Sequence, residues 1–361
     1  MNENINVTFD NGKTISVKRN SRILDIIDEF DIPEKDILGA YVNNETSGLT
    51  KPLIYDCKVS PILVNTDAGA KIYRRSLCLL LSCAAHKIFP GKRLIVGSSI
   101  DHGYFYTFDD GKNIEPVQLE MLLTKMKNIV KQDIPIEPEI ISYSQACRIF
   151  EEGNLTETRK QLEYICMPFI QIDTIDGFSD MHYGPVVPST GYLKVFDLME
   201  YSHGFLLCYP PNSDMSTLKP FEDQPALAKV YSEYKEWGKR IGVTTVASLN
   251  EICIEKHSMQ DFVDITETFQ TKNISKIASQ IANKPTARVI LIAGPSSSGK
   301  TTTSKKLALE LLAIGIVPKV ISLDDYYAGL DRTPRDENGN PDFECLEALD
   351  IDLLNQNLLD M

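Results

Sequence analysis

A glycine- and serine-rich segment, GPSSSGKT at 294–301, has the spacing of a phosphate-binding loop. In this pattern the glycines let backbone N–H groups curl around phosphate oxygens, and the N-terminus of the next helix adds positive charge. Lys300 supplies a full charge, and Thr301 offers a hydroxyl to Mg²⁺. The sequence therefore predicts a site for ATP and Mg²⁺. The predicted ATP-contacting residues are Gly294, Pro295, Ser296, Ser297, Ser298, Gly299, Lys300, Thr301 and Thr302.

A carboxylate, Asp324, directly follows the apolar run VISL. Because the carboxyl ends of parallel strands lie along one edge of a sheet, we expect Asp324 to emerge beside the loop. A carboxylate there can accept the proton of a hydroxyl that attacks the γ-phosphate. We therefore predict that Asp324 and Lys300 are catalytic. The alternative is that Asp324 and Asp325 are solvated residues of a turn.

These residues need a strand before the loop and a helix after it. The run RVILIAG, residues 288–294, is continuously apolar, as in a strand that is buried on both faces. Residues 301–315 have the spacing of an amphipathic helix, and VPKVISL, residues 317–323, predicts a second buried strand. The sequence thus predicts the first half of a parallel sheet with flanking helices.

The first 225 residues predict two further folding units of mixed α/β and α+β type. NVTF and TISV alternate around an Asn-Gly turn, which is a strong hairpin signal, and Ser21 can cap the helix that follows. The helix-periodic run RRSLCLLLSCAAHKIF then opens an α+β segment. Residues 226–284, which hold the single tryptophan, Trp237, are predicted to form a helical connector.

Composition indicates a globular protein with an acidic surface. The formal net charge of -13 repels phosphate backbones unless a basic patch is segregated, so RNA is not the expected partner. The 8 cysteines form no CxxC pair, as expected for reduced thiols. The start MNENINVTFD is not a signal peptide, and the longest apolar stretch falls short of the roughly 20 residues that span a bilayer. A cytoplasmic location without membrane contact is predicted.

Three segments, GPSSSGKTT, SLDDYY and DFECLEALD, resemble the uridine kinase and phosphoribulokinase family. The resemblance implies that Asp324 is the general base for a nucleoside 5′-hydroxyl and that Tyr327 and Phe343 lie near the base and ribose. Uridine kinases usually have aspartate at the ribose-gripping position, where this chain has Glu344. The implied activity is phosphorylation of uridine or cytidine by MgATP. A phosphoribulokinase-like sugar kinase shares all these motifs and stays as an alternative.

The segments RRSLCLLLSCAAHKIFPGKRLIVGSSIDHGYFY and MHYGPVVP resemble the N-terminal region of threonyl-tRNA synthetase, a TGS-type β-grasp domain followed by an editing domain. Such parts before a uridine-kinase-like part resemble a bacterial fusion family of nucleoside kinases. The implied domains are a TGS-like β-grasp domain at 1–66, an editing-like α+β domain at 67–225, the helical connector at 226–284 and the N-terminal part of a P-loop kinase at 285–361.

The editing family needs an HxxxH pair and a later Cys and His. The first pair falls on Arg75 and Leu79, and the later pair falls on His182 and Val186. Because Zn²⁺ wants three or four sulfur or imidazole ligands, we predict no structural metal and no editing chemistry. A second set of conceivable ligands, which we predict to be packing residues, comprises Cys83, His86 and His182.

Two expectations remain. Only 37 residues follow Asp324, without another apolar strand ending in an acidic residue, so we expect a fragment of a kinase that does not turn over. A different class of function is a nucleotide-sensing RNA-binding or regulatory protein, in which the synthetase-like front recognises a tRNA acceptor stem and the loop only senses ATP. The acidic charge argues against that class, and the oligomeric state is left open.

Overall fold

The computed structural model describes residues 3–165, 167–254, 256–337 and 339–360. The chain divides into two compact units, Met1–Glu251 and Ile252–Met361, and each is described by itself. No helix in the described ranges is long and apolar enough to cross a membrane. Cys166, one of the cysteines predicted to be reduced, lies outside the described residues. The four-part domain division stays a prediction.

A five-stranded mixed sheet opens the first unit. Its strands are β1 (Asn4–Phe9), β2 (Thr14–Lys18), β3 (Ile37–Val42), β4 (Glu45–Ser47) and β5 (Cys57–Leu63). Strands β1 and β2 form the hairpin that the Asn-Gly turn predicted, and Gly12 takes a left-handed φ of 82° in that turn. β1 also pairs in parallel with β5, and the strand order is β2-β1-β5-β3-β4. The predicted helix is present as a 3-10 helix, Ile23–Phe30, whose apolar side packs on this sheet.

Helix α1 (Asp67–Ile88) is the central element of the rest of this unit. The Thr66 side chain accepts a hydrogen bond from the Gly69 N–H at 3.1 Å, which caps the helix and fixes its start. Most of its apolar residues are buried in one large core with residues of two further sheets. One of these sheets has three strands and the other has four, and both share this core with α1.

The elements after α1 in this unit are β6 (Leu94–Ile100), β7 (Gly103–Phe108), α2 (Pro116–Gln132), β8 (Ile136–Ser142), α3 (Tyr143–Glu152), α4 (Thr156–Gln161), β9 (Phe169–Ile175), β10 (Phe178–Asp180), β11 (Asp197–Tyr201), β12 (Gly204–Cys208) and α5 (Pro225–Arg240). Helix α6 (Val246–Ile254) follows. The two sheets have the strand orders β10-β9-β8 and β11-β12-β7-β6, so β6 is an edge strand.

Because of Tyr73 on α1, we expect the stability of this unit to decrease at alkaline pH. Its hydroxyl donates to the Val195 carbonyl at 3.2 Å and accepts from the Val195 N–H at 2.8 Å, and burial raises its pKa from 10.0 to about 12. The unfolded chain therefore loses this proton first as pH rises. We expect the free energy of unfolding to fall by on the order of 2 kcal/mol between about pH 10 and about pH 12.

The measurement is urea unfolding of the wild type and of Tyr73→Phe across this pH range. The Phe variant lacks the titrating group, so its stability should fall less with pH. An equal fall in both proteins would contradict the assignment.

The second unit is held by two helices, α7 (Lys256–Ala282) and α8 (Lys300–Ala313). Ile274 and Ala278 of α7 pack against Leu307 and Leu311 of α8. An ion pair between Lys306 and Glu267, at 2.7 Å, adds a polar contact at the edge. The last helix of this unit is α9 (Ile351–Leu359).

The predicted pair of buried parallel strands is absent from the described part of this unit. Residues 288–294 have no regular secondary structure and are exposed, and Leu291 keeps 88% of its surface. Residues 317–323 are not a strand either. A strand buried on both faces needs hydrogen-bonded neighbours and helices over both faces, whereas α7 and α8 pack on each other. The P-loop kinase part of the fold prediction is therefore not confirmed.

Candidate functional site

The loop before α8 turns tightly. Ser297 and Gly299 both have left-handed backbone angles, with φ of 60° and 84°. At Gly294 a Cβ would lie 2.8 Å from the Ser298 Oγ, so the absence of a side chain lets the loop close. Because α8 begins at Lys300, its first amide groups have no acceptor within the helix. The loop thus offers amide donors and the positive end of a helix to an anion.

Lys300 completes this arrangement. Its Nζ donates to the carbonyl oxygens of Gly294 at 2.7 Å and Pro295 at 3.0 Å, which holds the ammonium over the loop. Within the ranges that the structure describes, no carboxylate forms an ion pair with it. Its positive charge is exposed and available to a phosphate.

The other predicted loop residues are also exposed, although Asp324 is not connected to them. Residues 294–302 are all solvent-accessible. Asp324 is exposed in the 3-10 helix Leu323–Tyr326, and among the described residues neither a hydrogen bond nor an ion pair joins it to the loop. The described residues 288–294 and 317–323 form no parallel strands that would bring Asp324 to the loop.

The predicted substrate residues lie near one another in the second unit. The Tyr327 hydroxyl donates to the Phe343 carbonyl at 3.2 Å, and the two rings meet edge to face at 5.6 Å. The Glu344 N–H donates to Asp342 Oδ1 at 3.0 Å, and the Glu344 side chain is exposed. These contacts stabilise a local turn and connect none of the three residues to the loop.

A second polar site lies in the first unit, and we name it the Arg75 cluster: Arg75, Asp173, Asp180 and His182. Arg75 Nη1 donates to the Pro185 carbonyl at 2.6 Å. Asp173 keeps 2% of its surface, and its Oδ2 lies 3.6 Å from His182 Nδ1. Neither of these two atoms has a hydrogen-bond partner among the described residues, which is costly in a buried place.

Charge in the Arg75 cluster is only partly balanced. Burial raises the pKa of Asp180, while His182 acts in the opposite direction. Burial lowers the pKa of Arg75, which Asp173 partly offsets. A guanidinium beside an imidazole and two carboxylates can hold a polar ligand and exchange protons with it. The sequence analysis missed both carboxylates, although an acidic residue within the apolar strand FIQIDTI is an available signal.

Arg74 provides a second cation beside this cluster. Its Cζ lies 5.1 Å from the ring centroid of Tyr209, which in turn packs 4.9 Å from Tyr104. The Nε of Arg74 is buried and has no hydrogen-bond partner in the part of the chain that the structure describes. Aromatic rings and arginine side chains are both surfaces on which unstacked RNA bases can pack.

The remaining positions of the editing pattern belong to the core. Leu79 has 0% and Val186 has 6% exposure. Cys83 Sγ donates to the Ile175 carbonyl at 3.5 Å, and the His86 ring packs on Phe178. In the described part of the chain, no group of three or more His, Cys, Asp or Glu residues could hold a metal ion.

The fold and these sites define a multidomain α/β protein with several sheets, consistent with TGS-like and editing-like parts. The chain is 30% identical to the threonine–tRNA ligase of Carboxydothermus hydrogenoformans over 172 residues, 47% of this chain and 27% of the ligase. It is also 30% identical to the threonine–tRNA ligase of Clostridium kluyveri over 207 residues, which are 56% of this chain and 32% of the ligase. The identity to the threonine–tRNA ligase of Francisella tularensis subsp. novicida is 25% over 215 residues, which are 59% of this chain and 33% of the ligase.

The chain thus spans about a third of the length of the curated relatives it matches. No model of a known protein family matches it. The similarity covers about half of this chain and supports the synthetase-like domains.

These relatives overturn the prediction of a nucleoside kinase. The relatives are named threonine–tRNA ligases. They give no support to a fused uridine kinase or phosphoribulokinase part. The physical reason for the error is that a phosphate loop specifies phosphate binding and not the acceptor of a phosphoryl group. The prediction of pyrimidine nucleoside phosphorylation was wrong.

The predicted partners were wrong as well. A nucleoside was expected and RNA was not, yet the relatives are named for a tRNA ligase. Net charge describes the whole chain, whereas binding depends on the local field. Arg74 of α1 forms no ion pair among the described residues, so a positive charge is left unpaired locally despite the acidic total.

Proposed function

We propose that this chain is an RNA-binding regulatory protein built from threonyl-tRNA synthetase-like domains, and that it binds a tRNA through the unit Met1–Glu251. The observation that carries this proposal is the 30% identity to a threonine–tRNA ligase over 207 residues. The exposed phosphate loop adds a site for a nucleoside triphosphate, so that ATP and Mg²⁺ are the proposed ligands of the second unit.

The Arg75 cluster favours binding over hydrolysis. Leu79 and Val186 pack in the core where the editing pattern has histidines, so those positions offer no polar group to a ligand. Arg75 adds a guanidinium, which donates hydrogen bonds but cannot act as a base at neutral pH. The cluster can therefore donate hydrogen bonds to a polar ligand, although it lacks the metal ligands of the editing pattern.

Arg74 is the residue whose charge is best placed for RNA. It lies against the Tyr209 ring, and among the described residues it forms no ion pair. Tyr209 is itself fixed by a hydrogen bond between its hydroxyl and Ser99 Oγ at 3.1 Å. A cation on a rigid aromatic support loses little side-chain entropy when it contacts a phosphate or a base.

The test is binding of fluorescently labelled tRNA, measured by anisotropy over a range of salt concentrations. Affinity should fall steeply with salt, because phosphate contacts release counterions. Arg74→Gln should weaken binding by about tenfold, the equivalent of one charge-assisted hydrogen bond. Lys13→Gln is the matched control, because the Lys13 ammonium is already paired with Glu29.

Trp237 fluorescence verifies that each variant is folded. An absence of tRNA binding at low salt, or an affinity that does not change with salt, would refute the proposed function. A loss of binding in the control equal to that in Arg74→Gln would remove Arg74 from the site.

A further inference from the structure

A cavity of about 520 Å³ lies in the unit Met1–Glu251, between α5 and the sheet that contains β6, β7 and β12. This volume is in the range of roughly 300–1,000 Å³ that is usual for small-molecule sites. Its lining is mainly apolar and aromatic with a few cationic groups. Among the residues that line it are Ile95, Phe105, Tyr201, His203, Tyr231 and Lys235.

The aromatic wall of this cavity is held in place by contacts of its own. The Tyr201 hydroxyl donates to Asp223 Oδ1 at 2.7 Å, and its ring meets Phe105 edge to face at 6.3 Å. The His203 ring lies 5.1 Å from Phe105, which is only 8% exposed. A wall of fixed rings is organised in advance for a flat ligand, so little ordering is required on binding.

The cavity also carries positive charge that is not neutralised. Lys235 Nζ donates to Thr107 Oγ1 at 2.9 Å and lies 5.6 Å from the Phe105 ring. No carboxylate lies within ion-pair distance of it in the described part of the chain. Lys239 also lines the cavity, although it is paired with Glu236 at 2.6 Å.

The ionisation of these groups is consistent with a cationic, poorly solvated cavity. Burial, followed by the charge of Lys239, lowers the pKa of Lys235, while Glu236 partly opposes this. Burial and the charges of Lys235 and Lys239 likewise lower the pKa of His203. Partial burial of an ammonium without a counter-ion is unfavourable, and an anion would reduce that cost.

We propose that this cavity binds a small organic anion with a flat ring, namely an aromatic carboxylate or a nucleoside monophosphate. The ring packs on Phe105 and Tyr201, and the anionic group pairs with Lys235. All of the lining belongs to one unit and none of it to the loop at 294–301, so this site is separate from the phosphate loop. It is also separate from the Arg75 cluster, none of whose members line it.

The test is calorimetric titration of the 361-residue chain that carries Lys300→Ala, so that the phosphate loop does not contribute to the signal. The probes are AMP, the uncharged adenosine, and benzoate. We expect AMP or benzoate to bind, and adenosine to bind at least about tenfold more weakly than AMP if the phosphate ester is the preferred anion. Binding of benzoate alone identifies a carboxylate site, and binding of AMP alone identifies a phosphate site.

Lys235→Gln keeps a hydrogen-bond donor near Thr107 and removes the charge. This substitution should lower the affinity for the bound anion by about tenfold and leave the affinity for adenosine unchanged. Lys229→Gln is the matched control, because this exposed lysine of α5 does not line the cavity. Ser232→Leu narrows the cavity without changing charge and should abolish binding of either anion. Thermal unfolding verifies each variant.

Three results would overturn the proposal. They are an absence of binding for both AMP and benzoate, an affinity for the bound anion that Lys235→Gln leaves unchanged, and equal losses in Lys235→Gln and Lys229→Gln. If Lys235→Gln does not fold, the Ser232→Leu variant decides the outcome.

Discussion

Replacement of Lys300 by alanine should lower the affinity of the chain for MgATP by about 100-fold or more. Lys300 Nζ already lies over the loop, 2.7 Å from the Gly294 carbonyl, and the side chain is exposed to a ligand. Two charge-assisted hydrogen bonds from this ammonium are worth about 3 kcal/mol together, which corresponds to about two orders of magnitude. Isothermal titration of MgATP into the wild type and the variant measures the change.

Lys305→Ala is the control for this experiment. Lys305 is an exposed lysine of the same helix, one turn beyond the loop, so removal of its charge should change the affinity less than about threefold. An unchanged affinity in Lys300→Ala would contradict the phosphate-loop assignment. If MgATP binding is lost while tRNA binding persists, the two ligands occupy different sites, as the division into two units suggests.

Local signals in the sequence were sufficient where neighbouring residues determine the conformation. The hairpin follows from Asn11 and Gly12, because a left-handed turn residue is needed there. The turn at the phosphate loop likewise follows from its glycines, with Gly299 in the left-handed region. Helix α1 was predicted from its apolar spacing, and its apolar residues are indeed largely buried.

The sequence was insufficient where a segment depends on distant partners. The run at 288–294 has the composition of a buried strand, but a strand pairs only if another strand is available. Asp324 was placed beside the loop on the same assumption. Its position depends on which strands pair in the sheet, and the local residue pattern does not determine that pairing.

The same limitation explains the missed polar groups. Asp173 meets His182 only because β9 and the segment after β10 lie together in the fold. Lys235 faces a cavity because α5 packs near β6, and nothing in the helical spacing distinguishes it from the solvated lysines of the same helix. The nucleoside kinase prediction failed for a related reason, since a loop pattern identifies a phosphate ligand and leaves the reaction undetermined.

Leu79→Ala should lower the free energy of unfolding by about 2–5 kcal/mol. Leu79 is fully buried in α1, inside the core that joins this helix to two sheets. Its truncation removes apolar contacts and leaves a cavity that a close-packed core fills only in part. Urea unfolding monitored by the fluorescence of Trp237, which lies in the same unit, measures the loss.

Val117→Ala is the control, because Val117 is 65% exposed on α2 and its truncation should cost less than about 0.5 kcal/mol. A midpoint for Leu79→Ala that coincides with that of Val117→Ala would show that α1 does not pack as described. The expected loss also explains why a histidine is disfavoured at Leu79. A buried imidazole without a partner would pay a desolvation cost in addition to lost packing, so this position stabilises the core and is unsuited to a metal ligand.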